Sequence, residues 1–216
     1  MVAAVAGCGS QSTPTDARTL LRQAKQVIDD TPSLHFTLSS SGASGTGTVI
    51  SSGQGDARRP DGFTGTLVVM QSGFTVHVGI VSLGGAFYVK LPFSTGYSVT
   101  NPGNYGFGNP ATLLDPNKGL SSLLVDATSA AGDGVDRLNG EQLDEVAVTL
   151  PGDRVAALLT SADKSQPVRG RIGIDATTHQ IRRVVLTGPF FDAHRDSTYT
   201  LVLDNYGENV TITPPS

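Results

Sequence analysis

Residues 61–91 read DGFTGTLVVMQSGFTVHVGIVSLGGAFYVKL, and their pattern decides how the rest of the chain is understood. Two runs rich in valine, threonine and phenylalanine flank Ser72-Gly73, a dipeptide suited to a two-residue hairpin turn. Pairing outward from it sets Met70 against Thr75, Val69 against Val76, Val68 against His77 and Leu67 against Val78. Directly opposed residues project to the same side of a sheet. One face is therefore Phe63, Leu67, Val69, Val76, Val78 and Ile80, while Thr66, Val68, Met70, Thr75 and His77 mix polar with apolar on the other. Gly84-Gly85 turns the chain again, into a third strand over 86–91. An antiparallel meander with one strongly apolar face needs a cover on that face.

The cover lies on both sides of the meander. Upstream, Thr15 or Asp16 caps a helix whose Ala17, Leu20, Leu21, Ala24, Val27 and Ile28 share a face, and Pro32 ends it. SLHFTLSS (33–40) then reads as a strand, with a weaker one around 46–51. Downstream, Asn109 and Pro110 suit the cap and first position of a short helix through Leu114. Asp115, preceding Pro116, breaks it. Leu120, Leu123, Leu124 and Ala127 make a second apolar stripe. GVDRLNG (134–140) and EQLDEVAVTL (141–150) return to strand, and Asp153 is the expected cap of a third helix bearing Val155, Leu158, Leu159 and Ala162. VRGRIGID (168–175), QIRRVVLTG (180–188) and STYTLVLDN (197–205) are strands, and ENVTITPP (208–215) a short last one. No later linker is long enough to divide the chain, so residues 16–216 form one α+β domain behind a segment 1–15.

That segment holds the chain's only cysteine, Cys8, which excludes an intramolecular disulfide. Val5-Ala6-Gly7-Cys8 resembles a bacterial lipobox, in which small residues precede a cysteine whose thiol is diacylated. GSQSTPT (9–15) reads as a polar tether. Only MVAAVAG stands before Cys8, short of a leader's basic segment and ~7–15 apolar residues, so the signal segment is expected to be truncated or its start misplaced. No later stretch approaches the ~18 apolar residues of a membrane span. Net charge is −4 with scattered basic residues, unlike the basic face that nucleic acid requires.

Motifs that resemble chemistry are incomplete. Ser161-Ala162-Asp163-Lys164 matches S-x-x-K, but its S-D-N and K-T-G partners are missing, and Lys164 suits a helix end. Gly106-Phe107-Gly108 follows an irregular loop rather than the strand a dinucleotide motif needs. Asp115, Asn117 and Asp126 have EF-hand-like offsets without the sixth-position glycine or the twelfth-position glutamate. Asp192, His194 and Asp196 have loose ligand spacing and read as a polar tip between strands; His77 reads as a partly exposed sheet residue. No catalytic set, metal or cofactor is expected, and a hydrolase is the weakest reading.

Val5–Cys8, LLDPNKGLSSLL (113–124), DRLNGEQLDEVAVTLPG (136–152) and LVLDNYGENVTITPP (201–215), with the order of elements, resemble the mycobacterial LppX/LprA/LprF/LprG lipoproteins, which are LolA/LolB-like lipid carriers. The resemblance spans nearly the whole chain after Cys8. It implies a strongly curved antiparallel half-barrel wrapped around several short helices, with an apolar cavity between them. It further implies a monomeric, non-enzymatic lipoprotein on the outer face of the cell membrane. Its implied partners are lipids or glycolipids with long acyl chains, the membrane through lipidated Cys8, and a membrane lipid exporter as a candidate. Two departures bear on cavity volume: Ile172-Gly173 stands where the family carries an aromatic, and Tyr206-Gly207 where it has Trp-Gly.

On the residues alone two arrangements stay open. The helices pack flat on the sheet at native density, which leaves a lipid-anchored interaction or structural domain without a ligand. Otherwise the second stripe lies across the hairpin and encloses a slot lined by Leu67, Val69, Val76, Val78, Ile80, Leu120, Leu123 and Leu124.

Overall fold

The computed structural model describes residues 16–42, 49–71, 73–105, 108–192 and 194–215; Cys8 and its tether lie outside them. Helix α1 (Ala17–Asp30) starts where the Asp16 carboxylate accepts the Thr19 N–H at 3.2 Å, satisfying one of the free donors of the first turn. It buries Ala17, Leu20, Leu21, Ala24 and Ile28, and ends at Thr31 ahead of Pro32.

Strands β1 (Ser33–Ser41), β2 (Val49–Arg58), β3 (Gly62–Gln71), β4 (Phe74–Leu83), β5 (Ala86–Lys90) and the short β6 (Ser98–Val99) form a first meander. The β3–β4 register sets Leu67 against Val78 and Val69 against Val76, as the period-two pattern dictates. Gly84 and Gly85, at φ of 59° and 78°, make the tight β4–β5 turn that glycine tolerates without strain. Two 3₁₀ turns, Pro102–Tyr105 and Pro110–Thr112, lead to α2 (Leu120–Asp126). A second meander follows: β7 (Ser129–Leu138), β8 (Glu141–Leu150), α3 (Gly152–Leu158), β9 (Val168–Asp175), β10 (Ile181–Asp192) and β11 (Arg195–Asp204).

The two meanders merge because β11 pairs antiparallel with β1, from His35 opposite Asp204 to Ser41 opposite Thr198. The result is one open eleven-stranded antiparallel sheet ordered β6-β5-β4-β3-β2-β1-β11-β10-β9-β8-β7. It curls most easily where β2 meets β3. There Gly55 opposes Gly65, and a Cβ on Gly55 would stand 2.3 Å from the Thr64 carbonyl oxygen. Register shifts between Ile50 and Ser52 and between Gly132 and Val135 add local bends. The helices lie on the concave side, α1 against α2 and β7. Ser121 Oγ donates to Asp29 at 2.6 Å and Lys25 Nζ to the Pro116 carbonyl at 2.8 Å, which ties α1 to α2.

Several local expectations need correction. The tail from Glu208 onward is not a strand: it leaves the sheet past Ser33, the first residue of β1, and Ile212 is buried near Gly62 at the start of β3. Gly207 N–H and Ser33 Oγ hold it there, the latter donating to the Glu208 carbonyl at 2.5 Å. Pro151, not Asp153, caps α3; Asp153 sits in its first turn, and Leu159 and Ala162 lie beyond the helix end. The helix expected from Pro110 to Leu114 is a single 3₁₀ turn. β2 runs through Gly53, Gly55 and Asp56, residues poor in strand propensity that the sheet accepts for close approach.

Candidate functional site

Alternation along β1 and β11 puts Leu34, Phe36 and Leu38, and Tyr199, Leu201 and Leu203, on the concave side with the hairpin's apolar face. The helices do not fill that concavity. An apolar cavity of about 140 Å³ remains, with Phe36, Leu38, Ile50, Phe63, Leu67 and Ile80 in one part of its wall. Val184, Leu186, Tyr199 and Leu201 of β10 and β11 continue it. Leu120 and Leu123 of α2, Val155 and Leu158 of α3 with Leu159, and the segment 108–113 complete the enclosure. The Phe36 and Phe63 rings stack at 5.5 Å, making one wall rigid.

The covering segment is held at two points. Ser82 Oγ donates to Asn109 Oδ1 at 2.8 Å, and the same oxygen accepts the Ala111 N–H at 3.0 Å. Gly108 N–H donates to the Leu158 carbonyl at 3.0 Å, at the C-terminal end of α3. A Cβ at residue 108 would stand 2.5 Å from the Ala157 carbonyl oxygen, so this contact requires glycine.

Among the described residues no charged side chain lines the cavity. Among the described lining residues the titratable one is Tyr199, 2% exposed, whose ring meets Phe190 edge-on at 5.1 Å and tilts against Phe191 at 5.6 Å. Burial pushes the phenol far above its usual range, and the Ser161 hydroxyl beside it offsets only part of the rise. Neither Tyr199 Oη nor Ser161 Oγ completes a hydrogen bond of good geometry. Leaving a buried hydroxyl unpaired costs about 1–3 kcal/mol.

Of the eight residues expected to line a slot, Leu67, Ile80, Leu120 and Leu123 border the cavity. Val69, Val78 and Leu124 are buried in the same apolar cluster but are not in its wall, and Val76 packs half-buried against that cluster. The cavity runs under β1, β11 and β10 rather than toward the hairpin tip. Phe36, Leu38, Val184, Leu186, Tyr199 and Leu201 were the residues missed. Their alternation was readable, but the β1–β11 pairing that gathers them was not.

The remaining motifs serve the fold. Asp192 Oδ1 accepts the His194 N–H at 2.8 Å, and Asp196 pairs with Arg169 at 2.6 Å. Asp115 Oδ1 accepts the Asn117 and Lys118 N–H groups, and Asp126 pairs with Arg154. No cluster of three metal-ligating side chains occurs among the described residues, and no described helix is long and apolar enough to cross a membrane. His77 is exposed on the convex face, and Ser161 lies past the end of α3 with Lys164 exposed.

An open antiparallel sheet with helices against it is also the fold of two crystal structures. LprF from Mycobacterium bovis superposes with a TM-score of 0.73 at 15% identity, covering 92% of this chain and 96% of that one. The Mycobacterium tuberculosis lipoprotein LppX gives 0.65 at 18%, covering 91% and 98%. In sequence, residues 16–212 match the LppX_LprAFG lipoprotein family, and the chain belongs to it. Its relatives include the Mycobacterium tuberculosis (strain H37Rv) lipoarabinomannan carrier protein LprG, 26% identical over 218 aligned residues that cover 98% of this chain and 89% of that protein. Lipoprotein LprA of the same strain is 32% identical over 126 residues, 53% of this chain and 49% of that one. These relatives are named as a carrier and a lipoprotein, not as enzymes.

Proposed function

We propose that the protein is an envelope lipoprotein that takes acyl chains of a lipid or glycolipid into its cavity and carries or presents them between membrane layers. The observation behind this reading is the uncharged, almost wholly hydrocarbon wall between sheet and helices. Each methylene moved from water into such a wall contributes about 0.8 kcal/mol. Membership of a lipoprotein family with a named carrier among its relatives supports the same conclusion. A void of about 140 Å³ is comparable to the ~150 Å³ apolar cavity that admits benzene, so it takes a short length of chain. In this reading a diacylated Cys8 anchors the protein outside the cell membrane, since stable anchoring takes about two acyl chains. Expressed behind a complete leader, Cys8→Ala is then expected to leave the membrane fraction.

The test of the cavity is direct loading. Protein is incubated with phospholipid vesicles, re-isolated, extracted into organic solvent, and its lipid counted by mass spectrometry. Wild type is expected to retain lipid. Leu38→Trp, whose indole enters the cavity from β1, is expected to lose most of it with little change in melting temperature. Wild-type protein that emerges lipid-free would establish the ligand-free interaction domain instead.

A further inference from the structure

We propose that the rim of the sheet bearing Phe93 and Phe74 docks on a lipid bilayer, with the Phe93 ring as its insertion anchor. The inference takes its setting from the envelope-lipoprotein reading above and does not depend on acyl chains entering the cavity.

Register places the two rings at one rim. Phe74 opens β4 after the turn from Gln71, and Lys90 at the end of β5 pairs with Gly79. The loop after Lys90 therefore leaves the sheet toward the Phe74 end of β4. Of the seven large apolar side chains exposed among the described residues, Met70, Phe74, Leu91 and Phe93 stand at this rim. Neither packing nor backbone accounts for Phe93. Its ring is fully exposed, and it holds the third position of a turn closed by Ser94 N–H and Oγ on the Leu91 carbonyl, at 3.2 and 2.7 Å. Its φ of 65° favours glycine at that position and strains a bulky residue. Strain of this kind persists where function uses it.

The surroundings suit a bilayer. Between Asp61 and Asp115 the chain carries one Asp, Glu, Lys or Arg, which is Lys90, so this quarter meets lipid with almost no ion to desolvate. Lys90 Nζ lies 6.0 Å over the Tyr97 ring, a cation and an aromatic of the kind that settle at headgroup level. The segment bearing Cys8 joins the domain at the same rim. Ser129, Thr149, Arg169, Thr187, Thr198 and Ser41 oppose one another in turn across the sheet, which puts the start of β7 level with the end of β1. Arg18, in the first turn of α1, donates to the Ala127 and Thr128 carbonyls just ahead of that start, at 3.4 and 3.3 Å. Residues 9–15 span at most about 25 Å when fully extended. An acylated Cys8 would thus hold this rim, and not the opposite one, against the membrane.

The chain has no tryptophan, so single reporters are unambiguous. In a Cys8→Ala background, which removes any acyl anchor, Phe93→Trp is compared with Val99→Trp, an exposed position on β6 opposite Tyr88 and away from the rim. On vesicles of phosphatidylglycerol and phosphatidylethanolamine, emission from position 93 is expected to shift to the blue and to be quenched by brominated acyl chains. Emission from position 99 is expected to stay unchanged. Phe93→Gly, which relieves the positive φ, is expected to keep or raise the melting temperature and to sediment with vesicles roughly tenfold less well, with a further loss from Phe74→Ser. Equal responses at positions 93 and 99, or Phe93→Gly sedimenting like the Cys8→Ala protein, would overturn the proposal. A lowered melting temperature in Phe93→Gly would assign the ring to the fold instead. Cys8→Ala protein that takes up extractable lipid but never sediments would overturn the docking and leave the carrier reading standing. Lipid-free protein that sediments through Phe93 would do the reverse.

Discussion

Two buried polar groups, one an ion and one neutral, sit on opposite faces of the same sheet and are accommodated differently. On the convex face the Glu145 carboxylate, with 0% of its side chain exposed, lies across β9 between two guanidiniums. Arg183 donates to its Oε1 at 2.5 Å, and Arg171 Nε stands 3.2 Å from its Oε2. Gly173 opposes Glu145 in the β8–β9 register and leaves room: a Cβ there would fall 2.9 Å from Glu145 Oε1. Asp133 and Asp136 then balance the two arginines from β7. On the concave face Tyr199 is buried as deeply and has no partner of good geometry. Charge buried for the fold must be compensated or the sheet would not form there.

The largest expected effect comes from breaking the compensated side. Arg183→Met strands the Glu145 carboxylate with Arg171 alone, and removal of one partner from a buried pair typically costs 3–5 kcal/mol. A loss of about 3 kcal/mol is expected from urea unfolding, and Glu145→Gln in the same background should restore part of it. Next, Gly173→Ala pushes a methyl against Glu145 and the Leu143 side chain and is expected to cost about 1–2 kcal/mol by the same measurement. A change below 0.5 kcal/mol would mean that the carboxylate is free to move aside.

The open side has a pH signature. Burial raises the Tyr199 phenol in the folded protein, while the unfolded chain titrates near 10. Below pH 10 both states hold the proton and stability is unaffected. Above it the unfolded state loses the proton first, so stability falls by about 1.4 kcal/mol per pH unit from this residue. The slope of stability against pH between 10 and 11 should be shallower in Tyr199→Phe than in wild type. The smallest effect separates the two tyrosines at neutral pH. Tyr206→Phe removes a made hydrogen bond and strands the Ile181 carbonyl, an expected loss of about 1 kcal/mol. Tyr199→Phe removes an unmade one and should leave the ligand-free melting temperature level or slightly higher. Equal losses in both variants would erase the distinction between them.

Much of the fold was legible because its signals are local. The Asp16 cap and the stripe from Ala17 to Ile28 define α1 within one stretch of chain. The β3–β4 register followed from a two-residue turn and a period of two. The candidate site was half legible for the same reason. Leu67, Ile80, Leu120 and Leu123 belong to elements recognisable in isolation, and they line the cavity. Val78 was expected among its lining on local grounds and is a core residue 2% exposed, outside the cavity wall. Ser161 was met as part of a four-residue motif and sits beside a tyrosine 38 positions along the chain.

The sequence by itself therefore determined the apolar and polar side of each strand, the main turns and the stripe of each helix, since these depend on neighbours a few residues away. Tertiary structure alone decided which apolar faces meet. The pairing of β1 with β11 joins residues more than 150 positions apart, and no periodicity encodes it. That one pairing brings Phe36 and Leu38 to the same wall as Tyr199 and Leu201. It also buries the Tyr199 hydroxyl beside Ser161.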